Sequence, residues 1–243
     1  MKAVILAAGI ASRLRPLTNH SPKCLLQIGS SCLLKKTLDA LIENNIRNIV
    51  IVTGYLHEMI ESFVAEHYPE LEVEFIYNER YESTNNIYSL WMTKKAVSND
   101  AVLLLDSDIL FDPEIIAKLI ESPYPNCLAL NQHELGEEEI KVIADSSGKI
   151  KEISKTCSIE AAIGESIGIE KMSKEFLAVL FKELDAMILE RNQINVFYEA
   201  AFENIITQGA EFYAVDTSSL FSMELDTVED FNTACEKIPA NLR

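Results

Sequence analysis

Apolar runs alternate with segments of helical spacing along the first half of the chain. Continuous or alternating apolar residues are typical of strands, whereas apolar residues three and four positions apart are typical of helices that cover a sheet. The predicted strands cover residues 3–7, 49–52, 72–77 and 101–105, and the predicted helices cover 33–45, 56–67 and 86–97. This alternating order predicts an α/β fold with a mostly parallel central sheet flanked by helices.

The pattern changes after about residue 125, where short strands are separated by turns. Strands are predicted at 127–131, 140–145, 150–154, 164–169 and 212–215, and helices at 173–190, at 197–208 and from about 226 onward. This order predicts a smaller mixed sheet. We therefore expect a single domain over residues 1–243, with one lobe of about residues 1–125 and a second of about 126–243.

Composition narrows the classes of function. Hydrophobic residues make up 48% and charged residues 24% of the 243, which is typical of a globular protein. The net charge of −17 disfavours binding to nucleic acid or to anionic membranes. No apolar run has the roughly 18 residues of a membrane helix, and the short one at the start leads directly into Ser12-Arg13-Leu14-Arg15, so we expect a cytoplasmic protein without a signal peptide.

The five cysteines are scattered and contain no C-x-x-C pair, which argues against a disulfide framework and against a zinc site. The four histidines show no metal-ligand spacing and are given no role. Positive charge is instead concentrated near the start, because the first 25 residues contain two lysines and two arginines but no acidic residue.

The first chemical signal is the segment that follows the predicted strand 3–7, with Gly9, Arg13 and Lys23. Ligands of open α/β sheets bind beyond the carboxyl ends of the strands. Small residues there let free backbone N–H groups approach phosphates, while arginine and lysine neutralise them. An ordinary surface loop with solvated basic side chains explains the spacing equally well.

Two acidic segments form the second signal. Asp106 and Asp108 directly follow the predicted strand 101–105, where carboxylates can hold Mg²⁺, a cation that prefers oxygen ligands. A turn or helix-capping role remains open for either residue. Asp226 precedes the last predicted helix, where it can act as the N-cap with Glu229 completing a capping box.

The third signal is the pair Asn85 and Asn86 at a helix start. Asparagine carries both a donor and an acceptor and can therefore recognise the edge of a base. Capping of the helix by Thr84 or Asn85 is the alternative.

Together these segments resemble a known family. The order A-A-G-x-x-S-R-L-x-P-L-T-x-x-x-P-K, read from Ala7 to Lys23, is similar to the signature of the sugar-phosphate and alcohol-phosphate nucleotidyltransferases, which have a Rossmann-like GT-A fold. The resemblance implies Mg²⁺ bound by Asp108 and Asp226. One departure is Ala11, because the family usually has glycine there.

The segment from Asn78 to Leu90, N-x-x-Y-x-x-x-N-N-x-Y-S-L, resembles the phosphocholine and 2-aminoethylphosphonate cytidylyltransferase branch. The resemblance implies transfer of CMP from CTP to a small phosphorylated or phosphonylated acceptor, with release of pyrophosphate. It assigns catalysis to Arg13, Lys23, Asp108 and Asp226. It assigns nucleotide binding to Leu6, Ala8, Gly9, Ala11, Ser12, Arg13, Lys23, Asn85, Asn86 and Asp106, so the first lobe is expected to bind nucleotide.

The second lobe is then expected to bind the acceptor. Lys155 stands where the family often has a lysine for the acceptor phosphate, and Lys141 is a second candidate. Glu165 lies in a segment similar to the family's acceptor-binding strand and can pair with an amine. Tyr198 and Glu199 are further candidates, although ordinary core or surface placement explains Lys141 and Tyr198 as well.

Three alternatives stay open at this point. A sugar-1-phosphate uridylyl- or thymidylyltransferase has the same fold and mechanism. A glycosyltransferase shares the D-x-D metal motif but has no pyrophosphate to expel, which leaves the basic loop unexplained. A non-catalytic nucleotide-sensing module would have lost its chemistry. The sequence predicts no oligomeric state.

Overall fold

The computed structural model describes residues 1–242, and its elements follow the predicted alternation. The strands are β1 Lys2–Ala7, β2 Gln27–Ile28, β3 Ser31–Cys32, β4 Asn48–Thr53, β5 Glu72–Tyr77, β6 Val102–Asp106, β7 Ile109–Phe111, β8 Cys127–Asn131, β9 Lys141–Ala144, β10 Ile150–Ser154, β11 Gly164–Met172, β12 Tyr213–Asp216 and β13 Ser222–Glu224. The helices are α1 Leu33–Glu43, α2 His57–His67, α3 Asn86–Met92, α4 Lys94–Val97, α5 Glu114–Glu121, α6 Lys174–Asp185, α7 Glu199–Thr207 and α8 Val228–Lys237.

One sheet runs through the molecule in the order β10-β9-β11-β6-β1-β4-β5. Strands β6, β1, β4 and β5 are parallel, whereas β11 is antiparallel to β6. The long strand β11 also pairs with β8, and β12 pairs in parallel with β8. The predicted α/β fold, with a mostly parallel central sheet followed by a mixed part, is confirmed.

Strands β1, β4 and β6 are apolar between their ends because both faces of the sheet are covered. Val4 and Leu6 of β1 point to the face that carries α3, α6 and α7. Ala3 and Ile5 point to the opposite face, which carries α1, α2 and α5. Successive side chains of a strand point to opposite faces, so a strand between two helical layers has no polar alternation. This is why β1 reads as one hydrophobic run.

A third, smaller apolar cluster positions the end of the chain. It is formed by side chains from β2, α1, β7 and the C-terminal segment: Ile28, Leu33, Leu110, Leu225, Ala234, Ile238 and Leu242. Strand β13 pairs with β7 in a register that sets Glu224 opposite Ile109. In addition, Leu225 N donates a hydrogen bond of 3.1 Å to Asp108 O. The segment 222–226 is thereby held against the end of β6.

Some predicted boundaries were wrong. The helix predicted over 86–97 is divided into α3 and α4 at Thr93, and the helix predicted over 173–190 ends in a π-helical turn at Ala186–Glu190. Helix α5 and the short strands β2, β3, β7 and β13 were not predicted. Within residues 1–242, none of the helices combines the length and the apolar character that crossing a membrane requires.

The N-terminus of α8 corrects the predicted capping box. Thr227 is the N-cap, and its hydroxyl accepts a 3.2 Å hydrogen bond from Asp230 N, while Asp230 Oδ2 accepts one of 2.8 Å from Thr227 N. The predicted pair, Asp226 and Glu229, is displaced from these positions by one residue. The Asp226 carboxylate is therefore not used as the cap.

Replacing Thr227 with alanine tests this assignment. Because Thr227→Ala removes the side-chain acceptor from the first turn of α8, we expect the free energy of unfolding to fall by about 1 kcal/mol in urea denaturation. The matched control is Glu229→Gln, which leaves this box intact and changes stability by less than about 0.5 kcal/mol. A larger loss in Glu229→Gln than in Thr227→Ala would contradict the assignment.

Candidate functional site

A cavity of about 1010 Å³ opens at the carboxyl ends of the parallel strands. Its wall includes Ala8 and Gly9 directly after β1, and Ser107 and Asp108 directly after β6. The second part of the sheet supplies a further part of the wall, with Glu165 and Ile167 from β11. The cavity therefore lies where open α/β sheets bind their ligands.

The loop after β1 has a specific backbone conformation. Ala11 has φ 51° and ψ 52°, in the left-handed region that glycine adopts freely and alanine adopts at a cost of about 1–2 kcal/mol. The Ala11 carbonyl accepts hydrogen bonds from Thr18 Oγ1 at 2.9 Å and from Leu14 N at 3.1 Å. Because glycine adopts this conformation without strain, the conformation explains why the family usually has glycine at the position of Ala11. The methyl group at Ala11 strains the loop without preventing its fold.

The loop and two acidic segments meet in one charged cluster. Lys23 Nζ lies 2.8 Å from Asp108 Oδ2 and 2.9 Å from Asp226 Oδ1, and Arg13 Nη2 also donates to Asp226 Oδ2. Burial opposes the charge on Lys23, but the carboxylates of Asp108 and Asp226 outweigh it and raise the lysine pKa. Burial also opposes ionisation of Asp226, yet Lys23 and Arg13 lower its pKa. The four residues assigned to catalysis therefore lie together.

A third carboxylate, Glu224, joins this cluster and received no role in the sequence analysis. Carboxylate oxygens of Asp108, Glu224 and Asp226 all lie within 4.8 Å of one another. Desolvation in the cleft, followed by the charges of Asp108 and Asp226, raises the pKa of Glu224 to about 8. Glu224 stands two residues before Asp226 in an extended segment, where alternate side chains point the same way. This spacing is the sequence signal that indicates a third carboxylate in the cluster.

These carboxylates fit a divalent cation. Asp108 Oδ1 is buried and accepts no hydrogen bond from any residue in the described range 1–242. An orphaned carboxylate oxygen beside two further carboxylates is a donor set that a hard cation such as Mg²⁺ satisfies. The neighbouring Lys23 ammonium already shows that this position stabilises positive charge.

Asn85 and Asn86 also line the cavity, as do Asn78, Tyr81 and Thr84. Asn85 also caps α3, because its side chain accepts a 2.7 Å hydrogen bond from Asn86 N. Asn86 Oδ1 accepts one of 2.9 Å from Tyr198 N. The capping role and a position at the cavity therefore coexist.

Most, but not all, of the remaining nucleotide-binding candidates line the cavity. Leu6, Ala8, Gly9, Ala11 and Asp106 line the cavity, whereas Ser12 is not among the lining residues. The side chain of Asp106 is already engaged, because its Oδ2 accepts a 3.1 Å hydrogen bond from Tyr198 Oη. A Cβ on Gly168 would lie 2.7 Å from the same oxygen, so glycine is required for this close approach.

The acceptor candidates divide into two groups. Lys155, Glu165 and Glu199 line the cavity. Lys141 and Tyr198 do not line the cavity. Their placement therefore disagrees with the prediction that they contact the acceptor directly. Lys141 is buried and its Nζ donates to the carbonyls of residues 136, 137 and 139. Tyr198 is fully buried, and its hydroxyl donates to Asp106 and Glu170.

His133, to which the sequence analysis gave no role, is part of the cavity wall. Its Nε2 lies 2.7 Å from Glu165 Oε2. Burial lowers the pKa of His133, but the hydrogen bond to Glu165 outweighs it, and the net pKa is raised. Burial raises the pKa of Glu165, with partial compensation by His133. Their separation of 32 residues explains why sequence spacing did not reveal the pair.

Comparisons with known proteins show which family this chain matches. The nucleotidyl transferase family matches residues 2–124. A choline-phosphate cytidylyltransferase from Haemophilus influenzae is 28% identical over 99% of both chains. Another from Streptococcus pneumoniae is 38% identical over 44% of this chain, a match that spans less than half of that protein, 45%.

A solved structure has the same fold. The CTP:phosphocholine cytidylyltransferase from Streptococcus pneumoniae superposes with a TM-score of 0.81 at 23% identity, over 98% of this chain and 99% of the other.

The buried Glu199 carboxyl predicts a pH dependence of stability. Burial raises its pKa from 4.5 to about 7. The folded protein thus holds this proton more tightly than the unfolded chain, so the stabilisation is complete below pH 4.5 and is lost as the pH rises through 7. We expect Glu199→Gln to gain stability relative to the unsubstituted protein over this window, by up to about 3 kcal/mol in urea denaturation.

The control for this comparison is Glu211→Gln, which removes an exposed carboxylate that lies outside the cavity wall. Its stability relative to the unsubstituted protein sets the baseline over the same pH range. A Glu199→Gln difference that stays as flat as this baseline would show that the carboxyl group is not held protonated by burial.

Proposed function

Because the chain belongs to the nucleotidyl transferase family and is a nucleotidyltransferase, we propose that it transfers CMP from CTP to a small acceptor bearing a phosphate or phosphonate, with Mg²⁺ as cofactor. The observation that carries the proposal is the cluster of Lys23 with Asp108 and Asp226 beside the loop that follows β1. This cluster combines cations suited to binding phosphate with carboxylates suited to binding a metal ion.

The proposed reaction needs positioning more than proton transfer. An acceptor phosphate or phosphonate oxygen is ionised at neutral pH and attacks the α-phosphorus of CTP in line. A bond forms between this oxygen and the α-phosphorus, while the bond from the α-phosphorus to the bridging oxygen breaks and pyrophosphate leaves with the electron pair. Orientation and neutralisation of charge then supply most of the rate acceleration.

Each part of the cluster has a proposed task. Asp108 and Asp226, with Glu224, would hold Mg²⁺, which when bound neutralises charge on the phosphates. Lys23 and Arg13 stabilise negative charge that develops on the α-phosphate and the leaving pyrophosphate. Free N–H groups of the loop after β1 bind phosphate oxygens in the same region.

Base recognition is proposed for the side of the cavity formed by Asn85 and Asn86. The choice of cytosine is supported by the names of the relatives, which are cytidylyltransferases. Residues of about 1–125 would thus bind the nucleotide, and those of about 126–243 the acceptor.

At the acceptor end, Lys155 is proposed to bind the acceptor phosphate, and Glu165 and Glu199 to face its cationic end. Buried Tyr198 acts through its contacts as a positioning residue, since its hydroxyl joins Asp106 to Glu170 and its N–H joins α7 to Asn86.

Release of pyrophosphate tests the proposal. Each of four nucleoside triphosphates is incubated with Mg²⁺ and with pooled phosphorylated amines, alcohols and sugars, and we expect release with CTP and an amine-bearing phosphate or phosphonate. Release only with UTP or dTTP and a sugar phosphate would keep nucleotidyl transfer but contradict the choice of CTP and acceptor. Absence of pyrophosphate release with every pair of nucleotide and acceptor would contradict the proposed reaction.

A matched pair of variants in the same assay tests the charged cluster. Lys23→Ala removes the ammonium between the two carboxylates, so we expect kcat to fall by about 10²–10³-fold, as for loss of one donor to developing charge. Lys174→Ala removes an exposed lysine at the start of α6, outside the cavity wall, and leaves kcat unchanged. Equal kcat in both variants would remove Lys23 from the mechanism.

A further inference from the structure

Glu199, in the wall of the cavity, has a carboxyl oxygen that is an unused hydrogen-bond acceptor. It is the first residue of α7 and is 5% exposed, yet it belongs to the cavity wall. Its Oε2 accepts no hydrogen bond from any residue between 1 and 242. A buried carboxyl oxygen without a donor is costly, and a ligand N–H or O–H that reaches it from the cavity would satisfy it.

A cation with N–H donors already lies in this part of the cavity. The Lys155 ammonium is 4.8 Å from the centre of the Phe197 ring and 3.2 Å from Glu138 Oε2. Burial raises the pKa of Glu165 and of Glu199, and the positive charge of Lys155 opposes part of this rise, so the ammonium lies near both carboxyl groups. The region thus combines carboxylates with one aromatic face around a primary ammonium.

Within the described residues 1–242, Phe197 has no second aromatic ring paired with it to form a cage. Phe197 is 42% exposed, and no ring pair found among residues 1–242 includes it. A quaternary ammonium has no N–H to donate and is bound mainly through the faces of several surrounding rings. A single ring beside hydrogen-bonding carboxylates favours a cation that donates hydrogen bonds.

We propose that the acceptor carries a primary ammonium group, which donates a hydrogen bond to Glu199, and that the site discriminates against a trimethylammonium group. This inference rests on the proposed function, because it defines the acceptor of that reaction. Methylation removes the donors one at a time and enlarges the cation, so each added methyl group weakens the interaction with Glu199.

The test is direct binding of the reaction products, which needs no turnover. Isothermal titration calorimetry compares the cytidine diphosphate esters of ethanolamine, of N-methyl- and N,N-dimethylethanolamine, and of choline on the unsubstituted protein. We expect affinity to fall stepwise with methylation, by about tenfold or more from ethanolamine to choline. Equal or tighter binding of the choline ester would overturn the proposal.

A variant assigns this preference to Glu199. In Glu199→Gln the ethanolamine-to-choline ratio falls to about threefold or less, because a neutral amide is a weaker partner for an ammonium. The matched control Glu211→Gln, outside the cavity wall, keeps the full ratio. If Glu199→Gln kept the full ethanolamine-to-choline affinity ratio, recognition of the ammonium group would have to be assigned to another residue. The comparison on the unsubstituted protein is decisive even if this variant does not fold.

A turnover assay distinguishes failure of this inference from failure of the proposed function. Pyrophosphate release from CTP with phosphocholine but not with phosphoethanolamine would keep the proposed function and overturn the primary-ammonium inference. Release with neither, together with a binding preference for the ethanolamine ester, would support the ammonium site and count against the proposed reaction.

Discussion

The ion pairs of Lys23 with Asp108 and Asp226 are the constraint on which the site depends. The lysine lies 85 residues from one carboxylate and 203 from the other along the chain, yet both are within 2.9 Å of its nitrogen. Partly buried charges are tolerated only when they are paired, so three distant segments must meet to within a hydrogen-bond distance. Loss of Lys23 removes the cation that Asp108 and Asp226 share.

A few local features of the fold bring these three segments together. Parallel pairing of β1 with β6 brings the loop after β1 next to Asp108. The short pairing of β13 with β7 brings Asp226 to the same end of the sheet. Capping of α8 by Thr227 leaves the Asp226 carboxylate for the cluster. Strain at Ala11 is the local cost of a loop that turns sharply enough to place Arg13 beside these residues.

The parts of the structure that could be predicted are those fixed by local pattern. Strand β5 and the central strand β1 follow directly from alternation and from a continuous apolar run, because burial on one or two faces dictates these patterns. The basic loop and the two aspartate segments were recognisable because their residue order is specific. The structure brings together all four residues that the sequence assigned to catalysis.

The rest depends on tertiary contacts that leave no local signal. Strands of two or three residues, such as β7 and β13, have no period of their own, so the partnership of Glu224 with Asp108 was not visible. His133 and Glu165 pair only through the fold. Conversely, Lys141 and Tyr198 have side chains suited to ligand binding, but backbone carbonyls and buried carboxyl groups use their hydrogen bonds instead.

Binding of Mn²⁺, a spectroscopic substitute for Mg²⁺, tests most directly whether these carboxylates form the metal site. Electron paramagnetic resonance measures its affinity with CTP present, for the unsubstituted protein, for Asp226→Asn and for the exposed control Asp216→Asn. The account predicts a loss of at least about tenfold in Asp226→Asn, since even indirect partners of a metal contribute this much, and none in the control. Equal affinity in all three proteins would contradict a metal site built on Asp108 and Asp226.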